Sequence, residues 1–438
     1  MKTLLIIAYY FPPSGGPGVQ RVLKYVKYLP QFGIKPIVLT VENGDFPVRD
    51  ESLMKEIPND VKVVRTPIFE PYTLYRKLTG KAPGTPVDVN NIPKTGEKKG
   101  FNESAADFIR SNFFIPDARM FWQLTAVREG IKVIKTHQVD AIYSSSPPYT
   151  AALIARKLSK KSGLPWIAGF RDPWRGFLSA PNRSGIAEMI DTYFERSVYQ
   201  ECDRMEVAWK GIAKDFQAKY PKINSEKVIH IENGFDEADI PSLDSPRNQV
   251  FTITYTGSMY GKRTPEKFLN AIEKLIQEKK IEIEKIKLRF VGRFGSEIHR
   301  YFENPIYHSA IEVKQYVPHH ESIKLLLASD ALLLIVDETE GSNEIVPGKV
   351  YEYIGTSRPI ITIAPEGAIS TLIKETESGW VGAPDDPEKI QSGILKLYQD
   401  FYSGKKLWNG NPQEIQKYTR RESTRKLSEL IFEVCRNR

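Results

Sequence analysis

The sequence predicts an α/β fold made of two facing Rossmann-like, doubly wound domains with a cleft between them. The chain has 438 residues, which is too long for one ordinary hydrophobic core. Apolar runs of strand length alternate with helical patterns, and this alternation occurs in two sets, the second starting near residue 250. Because ligands of such folds bind beyond the carboxyl ends of the strands, functional residues are expected on the loops that follow strands.

The first set begins with TLLIIAYY, an apolar run typical of a strand buried on both faces. The loop FPPSGGPG follows, and VQRVLKYVKYLPQFG then repeats apolar residues at helical spacing. The strand KPIVLTV completes a βαβ unit with a glycine-rich first turn. Further along come the strand VDAIYSS, the helix TAALIARKLSKKSG, the strand PWIAGF and the loop RDPWRG. Residues 76–100 are rich in proline, glycine and lysine, and they predict a mobile surface insertion.

The second set repeats these units. It contains the strand QVFTITYTGSM, the helix PEKFLNAIEKLIQEK, the strand KIKLRFVGRFG, the stretches ESIKLLLASD and ALLLIVD, and the strand RPIITIAP. NPQEIQKYTRRESTRKLSELIFEVC predicts a final amphipathic helix. We therefore expect an N-terminal Rossmann-like domain at residues 1–225 and a C-terminal Rossmann-like domain at residues 226–410. The helix at 411–438 is expected to pack back toward the first domain.

Composition excludes several classes of protein. Two cysteines without C-x-x-C spacing support neither a disulfide framework nor a zinc site, which fits a reducing cytosol. The sequence contains no run of some 18 consecutive apolar residues, so no membrane span is predicted. The net charge of +8 favours a polyanionic partner, but no nucleic-acid-binding motif accompanies it, so no nucleic acid is expected. An anionic membrane surface is a candidate partner, with Arg156 to Lys161 and residues 76–100 as candidate contacts.

The glycine-rich loop SGGPG follows the first predicted strand. Gly15, Gly16 and Gly18 would let a phosphate approach the backbone beside a helix start. The same residues could equally serve only a tight turn. The loop matches neither the dinucleotide fingerprint nor the P-loop, which disfavours an NAD-dependent oxidoreductase or a P-loop NTPase.

A second anion site is predicted in NEIVPGKVYEYIG. Pro347 fits the first helical position and Gly355 the end of a short helix. The free N–H groups at that helix start and the Lys349 ammonium would attract an anion. Glu352, one turn inside, could accept hydrogen bonds from paired hydroxyls such as those of a ribose, and Glu344 precedes the helix. The alternative is that both glutamates are only solvated or capping residues.

The segment EIVPGKVYEYIGTSRP resembles the signature of family 4 glycosyltransferases, which are retaining enzymes with the GT-B fold. Further similar segments are YFPPSGG, FFIPDARMFW, IYSSSPPYTAALIA, PWIAGFRDPW, IENGFD, YTGSMYGKRTPEKFLNAI and YVPHHESIKLLLASDALLL. Together they cover about residues 1–430 and resemble the bacterial members that build surface polysaccharides.

The resemblance implies roles for individual residues. Glu344 would contact the donor sugar, and Arg263, with Lys262, would neutralise the diphosphate. Glu352 would bind the ribose, and Val317 would lie by the base. The remaining residues expected at the donor are Gly15, Gly16, Gly257, Ser258, Gly348, Lys349 and Val350.

This sequence departs from the family pattern at two places. Ser258 stands where family members commonly carry a basic residue, and Ser145 and Ser146 stand at about the place of a histidine that many members have. Arg171 and Asp172 are therefore the expected polar groups on the acceptor side, and the alternative is a buried structural pair. No D-x-D motif is present, so neither a metal nor a cofactor is expected, and His319-His320 is interpreted as a polar helix start.

The resemblance thus predicts a metal-independent, hexosyltransferase-type glycosyltransferase. Its partners would be a nucleoside diphosphate sugar and a glycan or lipid-linked acceptor, in the cytoplasm or on the inner face of the plasma membrane. A sugar-nucleotide epimerase of the same architecture and a non-catalytic sugar-nucleotide-binding regulator are the alternatives.

Overall fold

The computed structural model describes residues 1–46, 48–70, 108–109, 111–175, 183–241, 248–336, 342–344 and 346–437. Its contacts divide the chain into two compact units, one formed by Met1–Glu232 with Ser423–Arg438 and the other by Asn233–Glu422. The predicted insertion at 76–100 lies outside the described residues. Within the described ranges, every helix is too short or too polar to cross a bilayer.

The first unit contains a seven-stranded, fully parallel sheet. Its strands are β1 (Lys2–Ala8), β2 (Ile34–Val41), β3 (Lys62–Thr66), β4 (Ala141–Ser146), β5 (Trp166–Phe170), β6 (Arg204–Val207) and β7 (Val228–His230). Their order in the sheet is β3-β2-β1-β4-β5-β6-β7. The order reverses direction between β1 and β4, so the loops after these two strands diverge and leave a crevice at that edge.

Helices cover both faces of this sheet. They are α1 (Pro17–Tyr28), α2 (Trp122–His137), α3 (Thr150–Ser162), α4 (Gly185–Glu201) and α5 (Lys210–Lys219). One apolar cluster joins Leu4 and Ile6 of β1 to Val22 of α1 and to Leu427 and Ile431 near the chain end. The other joins the opposite face to α2 and α3. Strands buried on both faces explain the continuous apolar runs.

The second unit repeats the design with six parallel strands. They are β8 (Phe251–Thr256), β9 (Ile286–Val291), β10 (Ile311–Lys314), β11 (Ala331–Ile335), β12 (Ile360–Ile363) and β13 (Gly379–Gly382), in the order β10-β9-β8-β11-β12-β13. The helices are α6 (Glu266–Gln277), α7 (Ser296–His299), α8 (His319–Leu327), α9 (Gly348–Gly355), α10 (Ala368–Glu375), α11 (Pro387–Tyr402) and α12 (Pro412–Gln416). The two predicted Rossmann-like sheets are thereby confirmed.

The C-terminal segment differs from the single predicted helix. It forms α12 and a separate helix, α13 (Arg420–Arg436). The interruption follows from backbone pairing, because Phe235 N donates to Tyr418 O at 3.0 Å and Arg420 N donates to Phe235 O at 2.7 Å. Those backbone groups are then unavailable for a continuous helical ladder.

Candidate donor and acceptor sites

The crevice of the second sheet lies between β8 and β11, where the strand order reverses. Gly257 and Ser258 follow β8 directly, and Glu344 and α9 follow β11. Two segments separated by about 90 positions in the sequence thus start from neighbouring strands at the same sheet edge. This is the part of a doubly wound fold where ligands bind.

The start of α9 is open. Pro347 is the extended residue just before the helix, and Gly348 is the first helical residue, one position later than the sequence predicted. A Cβ atom built on Gly348 would meet no described atom within 4 Å. Packing within the described residues therefore does not require glycine here, and the unoccupied space lets a ligand approach N–H groups that carry the positive end of the helix dipole.

Lys349 is held over the end of β8. Its Nζ atom lies 3.9 Å from the centre of the Tyr255 ring and donates a hydrogen bond to Thr256 O at 3.2 Å. It also lies 3.4 Å from the position that a Cβ atom of Gly257 would occupy. Gly257 has a φ of +121°, so a side chain there would strain the backbone. The ammonium group is thus fixed beside a glycine at the mouth of the crevice.

Tyr353 fastens α9 to β8. Its hydroxyl accepts a hydrogen bond from Thr256 N at 2.8 Å and lies 3.2 Å from Thr256 Oγ1. Burial raises the pKa of Tyr353 to about 12, so the hydroxyl stays protonated. Tyr353 was not predicted from the sequence, although its spacing of four from Lys349 places both on one helix face.

Glu352 already has a partner. Its Oε1 atom lies 3.0 Å from Nε2 of His319, the first residue of α8. Both side chains are partly exposed, and the half-buried Val317 lies two residues before His319. His319 is therefore a helix-start residue, as expected. It also orients the predicted ribose-binding carboxylate, a contact that could not be predicted from the sequence.

The three residues predicted to act on the sugar and diphosphate lie on loops after strands. Glu344 ends a short helical turn, Ser342–Glu344, and is partly buried. A Cβ atom on Gly367 would overlap Asn343 O, so this turn contacts the start of α10. Lys262 is exposed and Arg263 partly buried in the loop after β8. The catalytic roles of Glu344, Lys262 and Arg263 stay predictions.

The corresponding crevice of the first unit lies between β1 and β4 and is more tightly bonded. Gly15 N donates to Val48 O at 2.8 Å, and a Cβ atom on Gly15 would lie 3.0 Å from Val48 Cγ1. Gly16 has a φ of +84° and precedes Pro17, the first residue of α1. Gly15 is thus required by its neighbours, while Gly16 is required by its backbone conformation.

Arg171 links the strand ends of the first unit. It donates to Ser145 Oγ at 2.9 Å and to Pro147 O at 2.5 Å, and its Cζ atom lies 5.9 Å from the centre of the Tyr10 ring. The structure therefore brings Arg171 and Ser145 together, as the acceptor-side hypothesis requires. Ser146, also buried, has a hydroxyl without a hydrogen-bond partner among the described residues.

Asp172 differs from its neighbour. It makes no hydrogen bond or ion pair with any other residue that the structure describes, and burial raises the pKa of its carboxyl group above the ordinary 3.8, although the Arg171 charge opposes this. The two residues are therefore not a closely bonded pair. A carboxylate with a raised pKa is a candidate proton acceptor.

A buried ionic cluster at the same sheet edge went unnoticed in the sequence. Tyr9 donates its hydroxyl to Glu70 Oε1 at 2.6 Å, and Arg119 Nε lies 3.4 Å from the same carboxylate. Burial raises the pKa of Glu70 even though Arg119 opposes the shift. Arg119 belongs to the FFIPDARMFW segment, and its neighbour Asp117 accepts a hydrogen bond from Thr150 N at 2.9 Å at the start of α3.

Comparisons with known proteins agree with this architecture. Residues 250–400 match the model of the family described as "Glycosyl transferases group 1". No curated protein sequence matches the chain. A glycosyltransferase from Rickettsia africae is similar in structure, with 14% identity and a TM-score of 0.62, covering 100% of this chain and 99% of the other.

Two further solved structures are similar along their whole length. Sucrose-phosphate synthase from Thermosynechococcus elongatus has 11% identity and a TM-score of 0.63, with 100% of each chain covered. HepE from Anabaena, solved in complex with UDP-glucose, has 11% identity and a TM-score of 0.55, covering 100% of this chain and 98% of the other. Residues 250–400 therefore match a group 1 glycosyltransferase model, in line with the resemblance seen in the sequence, and the likeness to solved structures confirms the predicted GT-B fold.

Proposed function

We propose that this protein transfers a sugar from a nucleoside diphosphate sugar to an acceptor hydroxyl with retention of the anomeric configuration. The observation that carries the proposal is the open start of α9, with Gly348 unobstructed by any described atom and the Lys349 ammonium fixed beside it. A diphosphate is the anion that such a helix start and cation suit. HepE, the similar protein solved with UDP-glucose, supports a nucleotide sugar as donor.

In the proposed reaction, the acceptor oxygen bonds to the anomeric carbon on the face from which the diphosphate leaves. The bond between that carbon and the phosphate oxygen breaks, and its electron pair goes to the diphosphate. The N–H groups of Gly348 and Lys349, with Lys262 and Arg263, would bear the developing charge. The N–H of Val350 already donates to Pro347 O at 3.1 Å. Glu344 would orient the sugar, and a donor phosphate oxygen would take the acceptor proton.

The acceptor side is proposed at Arg171, Asp172 and Ser145 of the first unit. Arg171 is bonded to strand ends, whereas Asp172 has no hydrogen bond among the described residues and could accept one from an incoming hydroxyl. A glycan or lipid-linked acceptor, within polysaccharide assembly in the cytoplasm, remains our proposal for the biological setting.

The test uses the purified full-length protein with a panel of nucleoside diphosphate sugars and sugar-bearing acceptors. We expect release of nucleoside diphosphate and a new glycoside with the donor's anomeric configuration by NMR. Glu344→Gln should lower the rate at least about 100-fold, the usual scale for a group that acts in the transition state, with an unchanged melting temperature. An undiminished rate in Glu344→Gln would refute the role of that residue.

Mass spectrometry separates the two alternatives. If the enzyme alone converts a sugar nucleotide into its epimer without an acceptor, the protein is an epimerase and the transfer proposal is wrong. If the donor binds but is neither transferred nor hydrolysed with any acceptor of the panel, the regulator hypothesis replaces it.

A further inference from the structure

Helix α4 has an exposed apolar face. Ile186, Met189, Ile190 and Tyr193 are each between 40% and 76% exposed, and their spacing places them on one side of the helix. The other side is buried through residues such as Val198. A surface helix normally turns its apolar stripe toward the core, so a second stripe facing solvent requires an explanation.

A second apolar segment lies beside the start of this helix. Asn112 Oδ1 accepts hydrogen bonds from Ser184 N at 3.0 Å and from Ser184 Oγ at 2.8 Å, which joins the segment to the residue before α4. Phe108, Ile109 and Phe113 are large, apolar and exposed. Seven exposed apolar side chains therefore belong to two adjoining segments, more than scattered surface residues would give.

Positive charge borders the apolar stripe. Arg156 of α3 lies 5.9 Å from the centre of the Tyr193 ring, which places α3 next to the exposed face of α4. Lys157, Lys160 and Lys161 on the same helix are exposed. Arg156 and Lys160 share the carboxylate of Glu201, so the charge balance of this helix stays positive.

Acidic groups on α4 do not cancel that charge. Glu188 lies 3.6 Å from Arg175. Asp191 is buried and bonded to Arg183 at 2.8 Å and to Trp174 at 2.9 Å. The exposed face therefore combines apolar side chains with a cationic border, which is the chemistry that complements a surface of anionic lipid.

We propose that this surface, formed by Phe108, Ile109, Phe113, α4 and the lysines of α3, docks the protein on an anionic lipid surface. The apolar side chains would insert at the headgroup boundary, and Lys157, Lys160 and Lys161 would lie near the lipid phosphates. Helix α4, with 17 residues, is about 25 Å long and would lie along the surface. The proposal deepens the membrane partner suggested by net charge, and it does not depend on the transferase activity.

The test is flotation of the full-length protein with vesicles of phosphatidylcholine containing 30 mol% phosphatidylglycerol, compared with pure phosphatidylcholine. We expect the anionic vesicles to bind more protein. The double variant Ile186→Ser with Met189→Ser should lower the bound fraction of protein about tenfold. Each substitution removes several CH₂ groups that would be buried in the lipid. Met54→Ser with Val313→Ser, at two exposed apolar positions elsewhere, is the matched control and should float like the wild type.

A second pair tests the charge. Lys157→Gln with Lys161→Gln should weaken binding at low salt. Little difference from the wild type should remain at 0.5 M salt, because salt screens the attraction between these lysines and the lipid phosphates. Equal flotation of wild type and the Ile186/Met189 variant would overturn the proposal, as would no binding to anionic vesicles. If that variant instead converts a dimer to a monomer in sedimentation while flotation is unchanged, the surface is a protein interface and the lipid proposal is wrong.

Discussion

The two crevices, one in each unit, are built on the same strand order but differ in what fills them. In the first unit the groups at the crevice are mostly bonded to one another, with Arg171 fixed on Ser145 and Pro147 and Gly15 against Val48. In the second unit the start of α9 is open at Gly348. Topology thus determines where a ligand can bind, whereas the local side chains determine which ligand fits.

The difference predicts unequal tolerance to substitution. A crevice that is already bonded should respond to mutation mainly in stability, and an open one mainly in ligand binding. Substitutions in each crevice can therefore test the contrast between the first and the second.

The largest effect is expected from Gly348→Ala. The added methyl group would occupy the open space at the helix start, and affinity for a nucleoside diphosphate measured by calorimetry should fall about 100-fold, or roughly 2.7 kcal/mol. The melting temperature should not fall. The matched control is Gly355→Ala at the other end of α9, where a Cβ atom would lie 2.6 Å from Phe235 Cδ2, so stability should drop instead. Equal loss of stability in both variants would contradict the contrast.

Lys349→Met should have the next largest effect. It keeps the length of the side chain but removes the charge that a diphosphate would use, so the dissociation constant should rise about 30-fold, the scale of a hydrogen bond to a charged group. Lys374→Met, at an exposed lysine on α10, serves as control and should bind normally. Unchanged binding in Lys349→Met would remove this lysine from the donor site.

Asp172→Asn tests the first crevice. The folded-state pKa of this carboxyl is raised by burial, so the wild type loses stability as pH rises from the ordinary carboxyl value through the raised one. The variant should lack that loss, and it should unfold at a higher temperature than the wild type at pH 7. If Asp172 assists the acceptor, transfer should still fall about tenfold. If the variant is both less stable at pH 7 and fully active, Asp172 neither has a raised pKa in the folded protein nor assists the acceptor.

The smallest effect on activity is expected from Tyr353→Phe. Removal of the hydroxyl leaves the buried Thr256 N–H without its 2.8 Å partner, which should cost about 1–3 kcal/mol of unfolding free energy. Donor affinity should change less than threefold, because the hydroxyl fastens α9 to β8 and is not proposed to touch the donor. Denaturant titration measures the first quantity and calorimetry the second. A large loss of affinity at unchanged stability would instead place the hydroxyl at the donor.

The central strands of both sheets could be predicted from sequence because they are buried on both faces and therefore read as uninterrupted apolar runs. The inner strand β6 is an exception, because it has four residues, two of them charged, and was not predicted. The edge strands β3, β7, β10 and β13 were not predicted either. They have three to five residues and are largely half-exposed, so they lack a long apolar run and a regular alternation.

The candidate site was predicted in part. Gly348, Lys349 and Glu352 could be predicted because residue spacing indicates where a helix starts and which of its residues share one face. The partners that hold them, Tyr255 and His319, are distant in sequence and come close only through strand order and helix contact. Asp172 could be predicted as a site residue from the PWIAGFRDPW segment. That its carboxylate is not bonded to Arg171 depends on side-chain geometry, which residue spacing does not determine.

The hydrogen bond between His319 and Glu352 also affects the entropy of binding. A free glutamate loses up to about 1.5–2 kcal/mol of rotamer freedom when a ligand fixes it. Here the imidazole restricts the carboxylate before any donor arrives, so much of that loss occurs during folding. A ribose would then meet a carboxylate already held in one orientation, and the protein would recognise it with a smaller entropic cost at the moment of binding.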